Sequence, residues 1–421
     1  MNVRAGAAEF AGRTHLTDLR RWWRRLPRVV RQSVPILVVL AFAIVYPYIQ
    51  SDLASLPAIG KYFPDTETMV VMLVFTMMAV GLNVVVGYAG LLDLGYVAFY
   101  AIGAYFVAFF SSTQFGGHKI NFGAVGVDPS LPGIHISIWI LIVGAAIVTA
   151  ILGVLIGLPT LRLRGDYLAI VTLGFGEILP QVARNGDSLF GTGFNLTSGS
   201  AGITPVDPPG FGNTLHHHFS FLPASYLDSL TPERLFYWTA LGLVVVTVFS
   251  CLRLRDSRLG RAWIAIREDE GAAAAMGVPL MRTKTWSYAA GAFFGGLAGG
   301  FYASFKSSAF PDDFFFNISV FILCMVILGG MGNIWGVIVG ALFLSYLDRF
   351  GLATIGSDVN DRFGTNFDVP KYTFLIFGII LLVVMLFRPQ GLFPEARRKA
   401  ELEQGVHDEP EYDVEHHDAF A

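Results

Sequence analysis

The sequence predicts an all-α, polytopic transmembrane bundle of about ten spans with both termini cytoplasmic. Three observations carry that prediction. The 421 residues are 54% hydrophobic and only 14% charged, against about 25% charged in an average soluble domain. The apolar residues gather into repeated runs close to the roughly 20 residues that cross a bilayer core as helix. The charge is segregated: Arg4, Arg13, Arg20, Arg21, Arg24, Arg25, Arg28 and Arg31 open the chain against only Glu9 and Asp18.

The runs place spans at about 34–50, 67–87, 92–112, 136–158, 166–183, 235–252, 284–305, 315–332, 334–350 and 371–387. Clusters of Lys and Arg mark loops that stay in the cytoplasm, and this rule tests the count. With an inside N-terminus, every even-numbered span must exit inside. Span four exits at Arg162 and Arg164, span six at Arg253, Arg255 and Arg258, and span ten at Arg388, Arg397, Arg398 and Lys399. The loops assigned outside hold Asp312 and Asp313, and Asp358, Asp361 and Asp368.

The domain reading follows. Residues 1–33 form a basic cytoplasmic arm, 34–394 the transmembrane domain and 395–421 an acidic, histidine-bearing tail; both ends read as disordered. The run from Ser33 lacks a small-residue cleavage site, so the N-terminus reads as an arm and not as a signal peptide. Loops 113–135 and 184–234 are rich in Gly, Pro, Asn and Ser and fall outside. The second halves the chain into five spans and five, but no repeat is strong enough to claim duplication. Cys251 and Cys324 sit in apolar runs and read as buried small hydrophobes.

Within the spans, Gly295-x-x-x-Gly299 and Gly296-x-x-x-Gly300 read as small-residue contacts for close helix packing. The segment Gly81 to Tyr105 interrupts an apolar run with Gly87, Gly90, Asp93 and Gly95. Asn83 and Asp93 at membrane depth are costly unless they face a cavity or a partner. Two readings stand: a broken helix lining a path, or a turn at the inner surface with Asp93 solvated. Asp166 reads as the N-cap of span five, accepting from free backbone N–H groups. Glu177, deeper in that span, needs a partner or a water-filled cavity. Gly329 to Gly336 resembles a phosphate loop only superficially; Gly330 and Gly332 instead suit a tight hairpin between spans eight and nine. His216, His217 and His218 lack accompanying carboxylate or Cys ligands, so no metal site is expected. Asn195-Leu-Thr197 matches a glycosylation pattern that is common by chance.

The loop 253–283 is the most telling segment. Arg261 to Gly277 is helix-prone and charged, with Glu268, Asp269 and Glu270 preceding Ala272 to Ala275. A cytoplasmic amphipathic helix could lie on lipid, but an acidic, small-residue surface suits a protein cleft better. The chain lacks the phosphate-cradling Gly-x-x-x-x-Gly-Lys-Ser/Thr pattern. It therefore reads as a channel-forming subunit whose motor is another polypeptide. An ion-coupled secondary transporter would typically carry intramembrane ionisable groups, and spans six to ten hold almost none centrally. A membrane enzyme would need a clustered nucleophile, metal or acid–base set, and none is apparent.

The segments Gly81–Tyr105, Arg162–Glu177, Gly260–Gly277, Leu328–Asn333 and Phe387–Phe393, in that order, resemble the larger permease subunit of bacterial branched-chain amino-acid ABC importers, over about Met69 to Pro394. The resemblance implies a multi-pass protein of the bacterial inner membrane, not itself an enzyme and without cofactor. It implies a second permease, two ATPase subunits and an external solute-binding protein as partners, with lipid around the chain and no nucleic acid. Relatives of the family carry urea, short amides or other small solutes, so these remain alternatives to leucine, isoleucine and valine. The segment Glu270–Gly277 looks like a loose form of the importer loop that begins Glu-Ala-Ala and ends in Gly; Gly271 stands where Ala is usual. Under that resemblance Arg261, Arg267, Glu268, Asp269, Glu270 and Gly277 are the expected ATPase-coupling residues. Asn83, Asp93 and Glu177 are the expected pathway residues, and Gly87, Gly90, Asp166, Gly330 and Gly332 the structural turns.

Overall fold

The computed structural model describes residues 28–56, 60–117, 119–125, 127–128, 130–163, 165–188, 195–210, 231–364, 368–388 and 391–393. The basic arm to residue 27, the three histidines 216–218 and the acidic tail lie outside them. The chain divides into two compact units, Met1–Phe63 and Pro64–Ala421. The first holds helix α1 (Arg28–Ala54), 27 residues long, and a single 3₁₀ turn at Gly60–Tyr62. Gly60 lies so close to the carbonyl of Ala54 that no side chain would fit there.

The second unit is built around α2 (Thr66–Asn83), which winds into a π-helical turn at Val84–Tyr88. This helix is apolar on every face, and 94% of its most apolar window is buried. A helix hydrophobic all round belongs inside a bundle. After a non-helical stretch come α3 (Val97–Phe110), α4 (Ile138–Thr160) and α5 (Asp166–Arg184). Then follow α6 (Pro232–Asp256), α7 (Arg258–Glu268), α8 (Glu270–Ala275) and α9 (Leu280–Lys306). The last are α10 (Phe316–Gly329), α11 (Ile334–Tyr346), a second π turn at Leu347–Gly351, α12 (Leu352–Phe363) and α13 (Thr373–Phe387).

A helix occupies the place of each expected span. Among the described residues seven are long and apolar enough to cross a membrane, with Val97–Phe110 a shorter apolar helix. The chain is thus an all-α, polytopic membrane protein. Outer helices carry apolar stripes that no described residue covers, such as Ile140, Val143, Ile147, Ile151 and Leu155 on α4. That spacing of three and four is one helix face, and it suits lipid.

Glycine brings the central helices together. A Cβ on Gly299 would collide with the carbonyl oxygen of Tyr100, and one on Gly103 with that of Gly296, so α3 and α9 touch backbone to backbone. Gly153 admits Ala292 from α9 onto α4. Gly329 and Gly340 do the same for α10 against α11, where a Cβ on Gly340 would sit 2.6 Å from the carbonyl oxygen of Met325. In lipid, where apolar burial does not drive helices together, such contact supplies the packing. Cys251 is buried and Cys324 half-buried, and both are free thiols.

The loop 113–135 differs from the irregular segment the sequence suggests. Strands β1 (Ser111–Ser112), β2 (Lys119–Phe122) and β3 (Gly133–Ile136) form a small sheet in the order β1-β3-β2. β1 pairs antiparallel and β2 parallel to β3. The short β-prone runs Lys-Ile-Asn-Phe and Gly-Ile-His-Ile account for it; their signal is masked in the sequence by surrounding Gly and Pro. The segment 195–210 is stitched beneath it: Val206 N–H donates to Ser307 O and Asp207 N–H to Ser111 O. Asn195 accepts from Ser198 N–H at 2.7 Å. His135 Nδ1 meets Asp207 Oδ2 at 2.8 Å, and both residues are buried. Burial pushes the Asp207 carboxyl up, against the opposing hydrogen bond from His135.

Two outcomes follow. Gly299→Val should separate α3 from α9 and cost upward of about 3 kcal/mol, because the obstacle is backbone and not a movable side chain; it would be read as a fall in melting temperature of the detergent-solubilised chain. His135→Ala should strand a buried carboxylate, costing about 1–3 kcal/mol. A raised carboxyl pKa means that folded-state stability is fuller at low pH and is lost as pH rises through that pKa. The destabilisation by His135→Ala should therefore grow from acid to neutral pH, and a pH-independent loss would contradict it.

Candidate functional site

The centre of the unit is the break between α2 and α3. Irregular backbone at membrane depth is tolerated only where protein or water satisfies it. Here side chains from three elements do so. Leu94 N–H donates to Thr172 Oγ1 of α5 at 3.0 Å, and Val97 N–H to Ser319 Oγ of α10 at 2.8 Å. Gly95 N–H donates to Asp93 Oδ1 at 2.9 Å, and Leu91 N–H to Val85 O at 3.1 Å. Asp93 is 1% exposed, so a solvated turn does not describe it. One carboxylate oxygen folds the break; the other, Oδ2, is buried facing Tyr288 of α9.

Asn83 closes the end of α2. Its Oδ1 accepts from Gly332 N–H at 2.9 Å, joining α2 to the α10–α11 hairpin. Gly87 packs against both, leaving no room for a side chain. Gly330 (φ 111) and Gly332 (φ 91) supply that hairpin's backbone turn, a conformation L side chains rarely adopt. Gly391 backs onto Gly330, and Leu392 N–H donates to Leu328 O at 2.9 Å. The conspicuous Phe387–Phe393 segment therefore returns to this hairpin.

The loop between α6 and α9 is two helices, α7 and α8, divided at Asp269. The division is local chemistry: Asp269 has extended backbone, and its side chain caps α8 by accepting from Ala272 N–H at 2.9 Å. Ser257 caps α7 through Gly260 N–H at 3.1 Å. Trp263 is buried and its Nε1–H donates to Thr283 O at 2.8 Å, fastening α7 to α9. Glu270 pairs with the buried Lys284 of α9 at 2.8 Å. Arg267 turns inward: its Nη1 donates to Gly87 O, and its stem lies on Gly90 (φ 68). The exposed rim comprises Arg261, Glu268, Asp269, Ala272, Ala274, Ala275, Met276 and Gly277, with Met276 85% exposed. Sequence reasoning grouped Arg267 and Glu270 with the rim and missed Trp263, Lys284, Thr172 and Ser319. Only Lys284, a charge at the mouth of an apolar run, gave a signal.

Glu177 is exposed on α5, one residue past Gly176, which packs against Gly95 of the break. With Ile178, Gln181, Val182 and Asn185 it lines an open groove of about 490 Å³. Tyr167, Ile170 and Ile178 on the same helix are also exposed. The N-cap position of α5 is held by Gly165 (φ 56) rather than by Asp166, which is the first helical residue. The turn needs a positive φ, which glycine takes without strain, and that shifts the helix start by one residue. The Asp166 side chain lies outside the described set. No group of three or more His, Cys, Asp or Glu is arranged to hold a metal among the described residues.

Residues 66–385 match the family model described as branched-chain amino acid transport system / permease component. The high-affinity branched-chain amino acid transport system permease protein LivM of Salmonella typhimurium is 34% identical, covering 89% of this chain and 78% of that protein. LivM of Escherichia coli is 33% identical over 90% and 78%. The probable LivM permease of Methanocaldococcus jannaschii is 26% identical over 75% and 84%. No solved structure matches.

Asn83→Ala should leave the Gly332 N–H buried without an acceptor and lower stability by about 1–3 kcal/mol. Asn83→Asp, which keeps an acceptor, should recover part of it when the melting temperatures of the three proteins are compared.

Proposed function

The chain belongs to the branched-chain amino acid transport permease family, and from that premise we propose that it forms part of the pathway of an ATP-driven importer for leucine, isoleucine and valine. The observation that carries the reading is the α7–α8 pair. It offers an exposed rim of small residues around Met276 and is fastened behind that rim to α9 and to the end of α2. A partner pressing on the rim therefore moves elements that meet at the break. Two ATPase subunits are the proposed partners, because the chain lacks a nucleotide loop of its own. A second permease and an external binding protein complete the machine.

In this reading the chain crosses a bacterial inner membrane ten times with both ends inside. The α7–α8 rim and the α10–α11 hairpin then face the cytoplasm, and the small sheet and the 195–210 segment face outward. The exposed face of α5, with Glu177 and Gln181 among apolar neighbours, is the surface we assign to the second permease, with the path between the chains. A carboxylate there gains an aqueous path or a polar partner from that assembly. Asn83 and Asp93, buried in the break, fix its conformation from within and need not touch solute. ATP-driven closure of the motors would favour one of two access states through differential contact at the rim.

Cells lacking this gene should lose labelled leucine uptake, regain it with a plasmid copy, and show competition by isoleucine and valine. Unchanged leucine uptake together with lost urea or amide uptake would move the solute and keep the architecture. Abolition of uptake by an ionophore at constant ATP would instead indicate an ion-coupled carrier. Removing the rim by Met276→Asp should lower coupled uptake at least tenfold while the chain still assembles in the membrane; a buried apolar anchor at a protein interface is worth about 2 kcal/mol or more.

A further inference from the structure

Behind the α7–α8 pair lies a second cavity, of about 210 Å³, distinct from the groove on α5. Its polar wall is Arg267, Glu270 and Lys284, and its apolar wall includes Leu91, Leu168 and Ile266. Lys284 is 5% exposed and holds Glu270 at 2.8 Å. Among the described residues the polar wall thus presents two cations and one anion against a leucine-rich surface. We propose that this cavity is a binding site for a free branched-chain amino acid on the cytoplasmic side, where the solute delivered by the importer accumulates. The proposal rests on the solute and orientation given above.

The chemistry selects a zwitterion. An α-amino acid carries a carboxylate and an ammonium on one carbon, and the Lys284–Glu270 pair offers the complementary charges at a matching short separation. The carboxylate goes to Lys284 and Arg267, and the ammonium to Glu270. The aliphatic side chain meets Leu91, Leu168 and Ile266. Charged hydrogen bonds in a partly desolvated site are stronger than those in water. The volume is below the roughly 300–1,000 Å³ of drug-sized pockets, which suits one amino acid and not a peptide. The site adjoins the groups that tie α7 and α8 to the bundle. A carboxylate taking Arg267 competes with Gly87 O for the same guanidinium, and one taking Lys284 loosens Glu270. Occupancy therefore changes the link between rim and break, and by linkage the drive for uptake depends on internal solute.

The test uses the complete importer, with partner permease and ATPases, in nanodiscs without binding protein. It is titrated calorimetrically with leucine, with 4-methylpentanoate (carboxylate only) and with isoamylamine (ammonium only). Saturable leucine binding in the millimolar range, with both analogues at least tenfold weaker, is expected. Leu163→Trp, at the exposed mouth of the cavity, should abolish it. The double variant Glu270→Gln/Lys284→Met, which removes both charges together, should abolish it as well. In proteoliposomes holding ATP and supplied with the binding protein outside, internal leucine should slow uptake several-fold for the parent but not for Leu163→Trp, whose uptake into leucine-free vesicles should match the parent. Equal binding of 4-methylpentanoate would overturn the assignment as a general anion site. No binding, or binding unaltered by Leu163→Trp, would overturn the site itself. Loss of all leucine uptake by the parent importer would overturn the proposed function separately, with the titration still deciding the cavity.

Discussion

The structure depends on one constraint: a helix broken inside an apolar bundle must have its freed backbone groups satisfied by the protein. The break between α2 and α3 meets it with Thr172 from α5, Ser319 from α10, and Asp93 within the break. Each partner comes from a different element, so the break acts as a pin. Elements far apart in sequence are held in one arrangement because each supplies one hydrogen bond that water cannot replace. The cost of leaving such a group unpaired in a low-dielectric interior is what makes the arrangement specific.

Around that pin the packing is a matter of removing bulk. Gly103, Gly296 and Gly299 bring α3 and α9 into backbone contact, and Gly329, Gly336 and Gly340 do the same for α10 and α11. Both pairs converge on the break: Tyr96 at the start of α3 donates to Gly291 O of α9 at 2.9 Å, and Asn83 receives the hairpin's Gly332 N–H. The same glycines that permit close packing therefore fix where the polar ties fall.

The α7–α8 pair connects this interior to the surface. Its attachment points are unlike in kind: an indole N–H to a carbonyl, a carboxylate to a buried ammonium, and a guanidinium to the last turn of α2. The three lie on one side of the pair, and the exposed small residues lie on the other. That division separates a surface suited to a partner from a set of links suited to passing its movement inward. It also explains why residues adjacent in sequence play different parts: Glu268 and Asp269 are on the rim while Arg267 and Glu270 face the bundle.

The sequence by itself determined the class of the protein. Apolar run length located the helices, because a bilayer imposes a length on any helix that crosses it. The glycine pairs of α9 and the hairpin at Gly330 and Gly332 were legible because small residues at such spacings have few other uses. The interrupted run at Gly87 to Gly95 marked the break, since polar groups and glycine at that depth are costly. Only the tertiary structure decided what each polar residue does. Asp93 is buried and Glu177 exposed, although each reads as one carboxylate in an apolar run; burial depends on which helix lies opposite. The pairing of Lys284 with Glu270, the turn of Arg267 onto Gly87 and the roles of Thr172 and Ser319 join residues from separate elements. The isolated bridge between Ser112 and Val206 likewise joins segments far apart in sequence. Such contacts are set by how the helices pack, a property of the assembled bundle that no local pattern of residues encodes.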